Sequence, residues 1–425
     1  MAGHIQDRWY KTETDADGKT RRVKTDRHGS GLRYRARYIG PDGTEKSKSF
    51  RDGQKRLAEK WLVQIEADMS RGQYIDPRAT RTTFRQYAEK WLSDQTSDVA
   101  TRQAVEMRLR LHAFPYIGSR PLGSFQPGHI RTWVRQLEDT VPAASYRRAI
   151  FGNVSAVFTA AMDDGLVVKH PCRADSVKAP KPSPTRVKPW LADQVFAVRA
   201  ALPGRYRTMV DLGAGCGLRQ GEIFGLPVDE TDFLGGWLHV AYQVKLVRGK
   251  PIFAPPKGGK ERDVPLPGAV GEALAVHMTA YPPVKVTLPW LDLDGPPVTK
   301  TLFFTNSEGS AVRRNTFNRR HWKPALATAG IIPEREKGEA EYEKSPEDGM
   351  HALRHFYASV LLDAGENIKA LSQYLGHSDP GFTLRTYTHL MPSSEGRTRK
   401  AVDVIFRAPE LSGVQDHGPG TAQAA

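Results

Sequence analysis

Six side chains in the C-terminal half of the sequence are of types that could break and remake a phosphodiester. They occur in four local patterns, in this order: GLRQGE with Arg219, PPKGGKERDVPL with Lys257, HALRH with His351 and Arg354, and LGHSDPGFTLRTYTHL with His377 and Tyr387. A guanidinium is permanently charged, and its rigid fork of donors matches two phosphate oxygens. Arg219 and Arg354 could therefore hold one phosphodiester between them.

Tyr387 is the candidate nucleophile. A phenol with a pKa of about 10 attacks poorly at neutral pH, so nearby cations must stabilise the charge that develops on the phenol and at phosphorus. Attack would leave a 3′-phosphotyrosine and a free 5′-hydroxyl. The departing 5′-oxygen needs a proton, and Lys257 is the candidate general acid, although Lys250 and Lys260 lie close to it in the sequence. Because the phosphotyrosine keeps the energy of the broken bond, we expect rejoining without ATP, metal or any other cofactor.

Each pattern has a simpler interpretation when it is taken alone. Arg219 could pair only with Glu222 three residues later, and His351 could be a packed core histidine. His170 and Arg173 repeat the H-x-x-R spacing in a proline-broken segment. The prediction therefore rests on the order and spacing of all four patterns together.

Together, GLRQGE, PPKGGKERDVPL, HALRH, LGH and TLRTYTHL resemble the tyrosine recombinase, or phage integrase, family over roughly residues 80 to 405. The resemblance implies an enzyme that cuts and rejoins double-stranded DNA at specific sites. It implies that Tyr387 is the nucleophile, that His377 hydrogen-bonds the scissile phosphate, and that the protein closes around DNA as a clamp. The active-site set that it implies comprises Arg219, Lys257, His351, Arg354, His377 and Tyr387.

The elements that must position these residues predict a multidomain α+β protein. Residues 190–408 mix helices with hairpin-like segments and predict a catalytic domain of mixed α/β type, with surface insertions at 281–297 and 334–349. Residues 82–170 carry repeated apolar stripes at helical spacing and predict an all-α domain, which the family resemblance makes the core-binding domain. The stretch 171–189 is rich in proline and lysine and predicts an extended, hydrated linker.

Residues 1–78 predict a small β-sheet covered by a helix, which the resemblance makes an arm-type DNA-binding domain. In LRYRARYI, apolar residues alternate with Arg33, Arg35 and Arg37, so one face packs and the other is cationic. TEKSKSF supplies another strand, and an earlier one is expected at 8–11 or 21–24. Leu57, Trp61, Ile65 and Met69 recur at helical spacing and predict the covering helix. We expect DNA contact from Arg33, Arg35, Arg37, Lys46 and Lys48; the alternative is a solvated edge strand.

The bulk composition agrees with a nucleic-acid partner. The 425 residues include 62 basic and 47 acidic side chains, a formal net charge of +15, although an ordinary basic enzyme has the same signature. Two cysteines are too few for a disulfide framework or a cysteine-rich zinc site. The start MAGHIQDRWY lacks the apolar core of a signal peptide, and no membrane span is expected. We expect a bacterial cytoplasmic protein associated with the nucleoid, with a disordered tail at 409–425.

The leading hypothesis is an integrase that inserts or excises a mobile element. It would act as a homotetramer on core and arm DNA sites, with a DNA-bending host factor and a directionality factor as further partners. A Xer-like chromosome dimer resolvase or a type IB topoisomerase-like enzyme would share the tyrosine chemistry. A DNA-binding regulator that lacks activity is the alternative from another class of protein.

Overall fold

The computed structural model describes residues 3–14, 18–41, 43–71, 74, 81–182, 187–336, 338–339, 341–342, 345–387 and 389. The chain divides into two compact units, Met1–Pro184 and Thr185–Ala425. No helix among the described residues is long and apolar enough to cross a membrane. The tail predicted to be disordered, 409–425, lies outside the described residues.

The first unit begins with the predicted sheet and its covering helix. Strands β1 (His4–Asp7), β4 (Tyr34–Ile39) and β5 (Glu45–Phe50) form an antiparallel sheet in the order β1-β4-β5. Tyr34, Ala36 and Tyr38 of β4 are buried against helix α1 (Lys55–Ser70), as the alternation predicts. Helix α1 buries Ala58, Leu62 and Ile65, and the predicted residues Trp61 and Met69 pack against the same cores in part. Leu57, also predicted to face the sheet, is exposed.

Both segments in which an earlier strand was expected contribute to strands, β2 (Tyr10–Thr14) and β3 (Thr20–Lys24), which form a separate antiparallel ribbon. The strand that pairs with β4 is β1, ahead of both segments, and the sequence pattern did not predict it. Short polar strands such as β1 carry little apolar signal, which explains the error.

The strand register separates the predicted DNA-binding residues into two groups. Arg35 pairs with Ser49 and Arg37 with Ser47, whereas Ala36 pairs with Lys48 and Tyr38 with Lys46. Directly paired residues share a face of the sheet. Lys46 and Lys48 therefore lie on the helix-covered face, opposite the arginines, and the expectation of one common cationic face is wrong.

A helical domain follows, as the apolar stripes predict. Its helices are α2 (Phe84–Ser93), α3 (Val99–His112), α4 (Phe114–Ile117), α5 (Pro127–Thr140) and α6 (Ala144–Asp163). Phe84, Trp133 and Phe158 belong to their shared core. Helix α6 ends just before Gly165, whose φ of +70° suits a glycine C-terminal to a helix.

The predicted linker is only partly an extended segment. Pro171 and Cys172 form a buried short 3-10 turn with Arg173, and Val177 packs into the core of the helical domain. His170 accepts a hydrogen bond from the Cys172 amide and is itself buried. Because proline and lysine dominate this stretch, the sequence pattern did not indicate the few apolar residues that pack into the helical domain. Residues 183–186 of the linker lie outside the described residues.

The second unit is a mixed helix and strand domain, as predicted. Its helices are α7 (Ala192–Ala201), α8 (Gly204–Gly215), α9 (Gln220–Phe224), α10 (Gly268–Ala280), α11 (Arg314–Phe317), α12 (Lys323–Thr328), α13 (His351–Asp363), α14 (Ile368–Leu375) and α15 (Pro380–Tyr387). Its strands are β6 (Thr231–Asp232), β7 (Trp237–Val240), β8 (Gln243–Val247), β9 (Lys250–Ala254), β10 (Arg262–Pro265), β11 (Val284–Pro289) and β12 (Pro297–Leu302). The antiparallel pairings are β10-β7-β6, β8-β9 and β11-β12.

Packing around α8 and α13 explains how the domain holds its functional residues. Leu353 of α13 lies so close to Gly213 of α8 that a side chain at that glycine would collide with it. Leu212, Leu353 and Phe304 belong to the large core of this unit. The stretch 281–297, predicted as a surface insertion, supplies β11 and one edge of β12, so it is an ordered ribbon. The second predicted insertion, 334–349, is described only in part.

Candidate active site

The carbonyl groups of the last residues of α14 accept hydrogen bonds from three arginine side chains. Arg262 Nε donates to Tyr374 O at 2.7 Å, Arg219 Nη2 donates to Leu375 O at 3.1 Å, and Arg354 Nη2 donates to the same Leu375 oxygen. A helix C-terminus leaves carbonyls without partners inside the helix and carries partial negative charge. These carbonyls can therefore position cationic side chains that come from three separate elements.

Glu222, on the short helix α9, joins two of the same arginines. Arg262 contacts both of its carboxylate oxygens, at 3.0 and 2.7 Å, and Arg219 Nη1 lies 2.8 Å from Oε1. The carboxylate is buried. Burial would raise its pKa, but hydrogen bonds and charge from Arg262, with charge from Arg219, outweigh burial and lower the pKa to about 2. The ion pair considered for Arg219 alone therefore exists, as part of a larger cluster.

Two glycines allow the backbone to approach closely at this cluster. Gly217, in the turn between α8 and α9, has a φ of +65°, and a β-carbon there would come within 2.4 Å of the ring of Tyr357. Its carbonyl accepts a hydrogen bond from Arg354 at 2.7 Å. Gly376 ends α14 with a φ of +60°, and a β-carbon there would press on Arg262. Both conformations favour glycine.

Arg354 is fully buried at 0% exposure on α13, and burial followed by the charge of Arg219 lowers its pKa to about 9. It stays charged at neutral pH. Two of its nitrogens bind the carbonyls of Gly217 and Leu375, and Nε is buried without a hydrogen-bond partner among the described residues.

Tyr387 ends α15, the last helix among the described residues, and is 1% exposed. Its hydroxyl lies 2.7 Å from Nδ1 of His355 on α13. Burial raises the pKa of Tyr387 to about 12, against the opposing charges of Arg354 and Arg219. The phenol, both arginines and His355 therefore belong to one site.

His351 and His377 complete this group. His377 follows Gly376, and its Nδ1 lies 2.7 Å from the hydroxyl of Thr383. Burial, followed by Arg354 and Arg219, lowers its pKa to about 4. The ring of His351 lies 4.7 Å from that of His355, edge to face, with one side open to solvent. Burial lowers the pKa of His351, and neighbouring charges, among them those of Arg354 and Arg219, lower it further.

Lys257 is not among the residues that contact one another in this cluster. It is exposed, in the loop between β9 and β10, next to two glycines with positive φ. The loop joins two different sheets, because β9 pairs with β8 and β10 pairs with β7. Lys260 is exposed in the same loop, whereas Lys250 begins β9 at its far end.

Two residues of the cluster were not singled out from the sequence. Arg262 begins β10 and alternates with Val264, so a charged residue in a buried strand position was the available signal. His355 lies one helical turn after His351 within the HALRH pattern, which placed it on the same face of the helix.

Comparisons with known proteins agree with the fold. The description Phage integrase family matches residues 192–393, and Phage integrase central domain matches residues 84–176. A tyrosine recombinase XerC-like protein of Caldanaerobacter subterraneus subsp. tengcongensis is 26% identical over 274 residues, which cover 61% of this chain and 66% of that protein. A prophage phiRv2 integrase of Mycobacterium tuberculosis is 23% identical over 387 residues, covering 89% of this chain and 93% of that protein.

The fold is also shared with a solved structure, a lambda integrase tetramer bound to a Holliday junction. The two chains superpose with a TM-score of 0.53 at 17% identity, covering 84% of this chain and 92% of that chain.

The fold and the family matches define a DNA-recombining enzyme. The chain belongs to the phage integrase family. It is a site-specific tyrosine recombinase, an enzyme that cuts and rejoins DNA strands.

Proposed function

We propose that Arg219 and Arg354 hold the scissile phosphate while the Tyr387 hydroxyl attacks its phosphorus. The observation that carries the proposal is the convergence of both guanidinium groups on one carbonyl oxygen, that of Leu375. The charges of both arginines also act on the Tyr387 phenol, where they oppose the rise in pKa caused by burial. Cations in this position stabilise a developing phenolate and a pentavalent phosphorus.

The charge balance of the cluster supports an anionic ligand. Among the described residues, Arg219, Arg262 and Arg354 bring three positive charges to the end of α14, and Glu222 brings one negative charge to them. The excess is two positive charges, in a site where Arg354 is wholly buried. A phosphodiester offsets part of this excess and offers acceptors to guanidinium donors.

The remaining roles follow from position. His377 has its Nδ1 held by Thr383, so its Nε2 is the nitrogen that would donate to a phosphate oxygen. His351 would line the same pocket. Lys257 would protonate the departing 5′-oxygen, since the glycines beside it give its loop the freedom to approach DNA.

The biological reaction that fits best is integration or excision of a mobile element. The prophage integrase match extends over 89% of the chain, whereas the XerC-like match covers 61%. For the N-terminal sheet we propose binding to arm-type DNA sites through Arg35 and its neighbours. A chromosome dimer resolvase remains the second candidate because of the XerC-like relative.

The assembly would be a homotetramer on two core sites, which the lambda integrase tetramer bound to a Holliday junction supports. Residues 82–170 would bind core DNA together with the catalytic domain at 190–408. A DNA-bending host factor and a directionality factor would be further partners. The compartment would be the bacterial cytoplasm, at the nucleoid, where chromosomal DNA is accessible.

The decisive experiment uses a nicked suicide substrate that carries the core site, which sequencing of the DNA flanking the gene would locate. The full-length enzyme should form a covalent protein-DNA adduct at Tyr387. Tyr387→Phe should bind the substrate but form no adduct, because the attacking oxygen is missing. Tyr357→Phe, which changes a neighbouring buried tyrosine, is the matched control and should form the adduct. An adduct that survives Tyr387→Phe, or none with the unchanged enzyme, would refute the proposal.

Integration is separated from resolution by the products. An integrase should join a circular DNA that carries one attachment site to a second, different site. A resolvase should instead act on two copies of the same site. Recombination confined to identical sites would favour the second candidate.

A further inference from the structure

His355 makes a direct contact with the atom that attacks DNA in the proposed reaction. Its Nδ1 lies 2.7 Å from the Tyr387 hydroxyl, and the two rings lie 5.6 Å apart. In the tautomer that carries its proton on Nε2, Nδ1 accepts the phenolic hydrogen. His351, one turn earlier on α13, meets the His355 ring rather than the tyrosine in the described contacts.

We propose that His355 is the proton acceptor for Tyr387 during strand cleavage and its proton donor during rejoining. The inference rests on the proposed function, because it assigns a partner to the same nucleophile. It makes His355 a catalytic residue in the sense that its nitrogen touches a reacting atom.

Atoms and charges balance in the proposed step. A bond forms between the phenolic oxygen and phosphorus, the bond between phosphorus and the 5′-oxygen breaks, and the phenolic proton passes to Nδ1 of His355. The general acid, for which Lys257 is the candidate, supplies a proton to the 5′-oxygen. On rejoining, the incoming 5′-hydroxyl returns its proton to that acid, and His355 returns its own to the departing phenol.

The surroundings of His355 favour its neutral, accepting form. Burial and the charge of Arg354 lower its pKa to about 4, so the imidazole is uncharged at neutral pH. A bound phosphate would offset the arginine charges and make the imidazole more basic. The phenolic proton also becomes more acidic as the oxygen bonds to phosphorus, so a weak base can accept it late in the attack.

The pH dependence of the cleavage rate distinguishes two roles for His355. In one it accepts the proton of Tyr387, and in the other it only holds the tyrosine in place by a hydrogen bond. The charged or titratable groups around the pair are His351, Arg354, Arg219 and His377. All three histidines have lowered pKa values, so their protonation is constant from neutral pH upward. The unchanged enzyme should therefore cleave at a rate that does not vary with pH between about 6 and 9.

The test is His355→Asn, whose amide oxygen can accept the tyrosine hydrogen bond but cannot take the proton. Single-turnover adduct formation is measured on the nicked core-site substrate with a sulfur in place of the scissile 5′-oxygen. A thiolate leaves without a general acid, so the measurement isolates the attacking side. We expect a rate at least about a hundredfold lower at pH 7. The rate should rise about tenfold per pH unit, as the phenolate fraction does below the pKa of tyrosine.

Lys257→Ala is the matched control. It should be slow on the ordinary substrate and recover on the sulfur substrate, whereas His355→Asn should stay slow on both. DNA binding by each variant, measured separately, shows that the site has folded.

The outcomes separate the two proposals. If the unchanged enzyme forms no Tyr387-dependent adduct, the proposed function fails. If the adduct forms and His355→Asn cleaves at the normal rate, only the role of His355 fails. A cleavage rate of the unchanged enzyme that itself rises tenfold per pH unit would overturn the role of His355 without reference to any variant.

Discussion

The N-terminal sheet and the end of α14 both contain several arginines close together, but the arginines of the two regions differ in their hydrogen-bond and ion-pair partners. On the sheet, Arg33 pairs with Asp7 and Asp52, and Arg37 pairs with Glu45, at or near the surface. At α14, Arg219 and Arg262 share the single carboxylate of Glu222, and backbone carbonyls serve as acceptors for the arginines there. The first arrangement neutralises its own charge, and the second keeps an excess of positive charge in a buried place.

The difference shows that a count of basic residues does not locate an anion site. An exposed arginine beside a carboxylate is satisfied by its partner and by water. A buried arginine held by dipoles retains its charge and interacts strongly with any anion that reaches it. Substitutions in the two regions should therefore differ in both the kind and the size of their effects.

The largest effect is expected from Arg354→Ala. Loss of the buried cation at the proposed phosphate site should slow cleavage on the order of a thousandfold, as measured by single-turnover adduct formation. Arg37→Ala is the control from the sheet and should leave cleavage of a core site unchanged. Thermal unfolding of both variants checks that the slow variant is folded. Equal rates for the two variants would remove the distinction between the regions.

The next effect concerns stability. Glu222→Gln removes the buried charge that pairs with the buried Arg262 and the partly buried Arg219. It should lower the free energy of unfolding by about 3 to 5 kcal/mol, measured by urea unfolding at pH 7. The folded pKa of Glu222 is about 2, below its usual 4.5. The stabilisation is thus complete above pH 4.5 and is lost as the pH falls toward 2. The variant should show a shallower loss of stability over that interval.

A smaller effect is expected on DNA affinity. Arg35→Ala combined with Arg37→Ala should lower the slope of log affinity against log salt concentration by about one for each phosphate that the variant no longer binds, measured on arm-site DNA. Lys46→Ala combined with Lys48→Ala is the control, because these lysines lie on the helix-covered face. A larger change for the lysine pair would mean that DNA meets the other face of the sheet.

The smallest effect is expected from Glu45→Gln. Its ion pair with Arg37 is partly exposed, and such pairs contribute roughly 0.2 to 1 kcal/mol. Urea unfolding should detect this difference in dilute buffer and lose it at high salt. A loss as large as that of Glu222→Gln would show that the sheet, too, depends on its charges.

Sequence patterns predicted most of the residues that meet in the cluster, because these residues lie in short segments of distinctive composition. Arg219, His351, Arg354, His377 and Tyr387 all reach one cluster, and helical spacing placed His351 and Arg354 correctly on one face of α13. Lys257 was predicted with them, but its loop position depends on how two sheets are joined, and local spacing carries no information about that connection.

The interactions that hold the cluster together could not be predicted in the same way. Arg262 and Glu222 are 40 residues apart, and Arg219 reaches a carbonyl 156 residues away. Backbone acceptors have no side-chain signature in a sequence. The face of Lys46 and Lys48 was misassigned for a related reason, because strand register is set by the pairing of β4 with β5 rather than by either strand alone.

The hydrogen bond between Tyr387 and His355 has a consequence for the whole assembly. In the proposed reaction, the nucleophile Tyr387, its proton acceptor His355 and the arginines Arg219 and Arg354 would all come from one polypeptide, in which the Tyr387 hydroxyl already lies 2.7 Å from His355. Mixing subunits that lack Tyr387 with subunits that lack Arg354 would not rebuild that centre by exchange across an interface. Under this proposal, the choice of strand in a synapse would depend on which subunits are active, rather than on which neighbouring subunit provides the tyrosine.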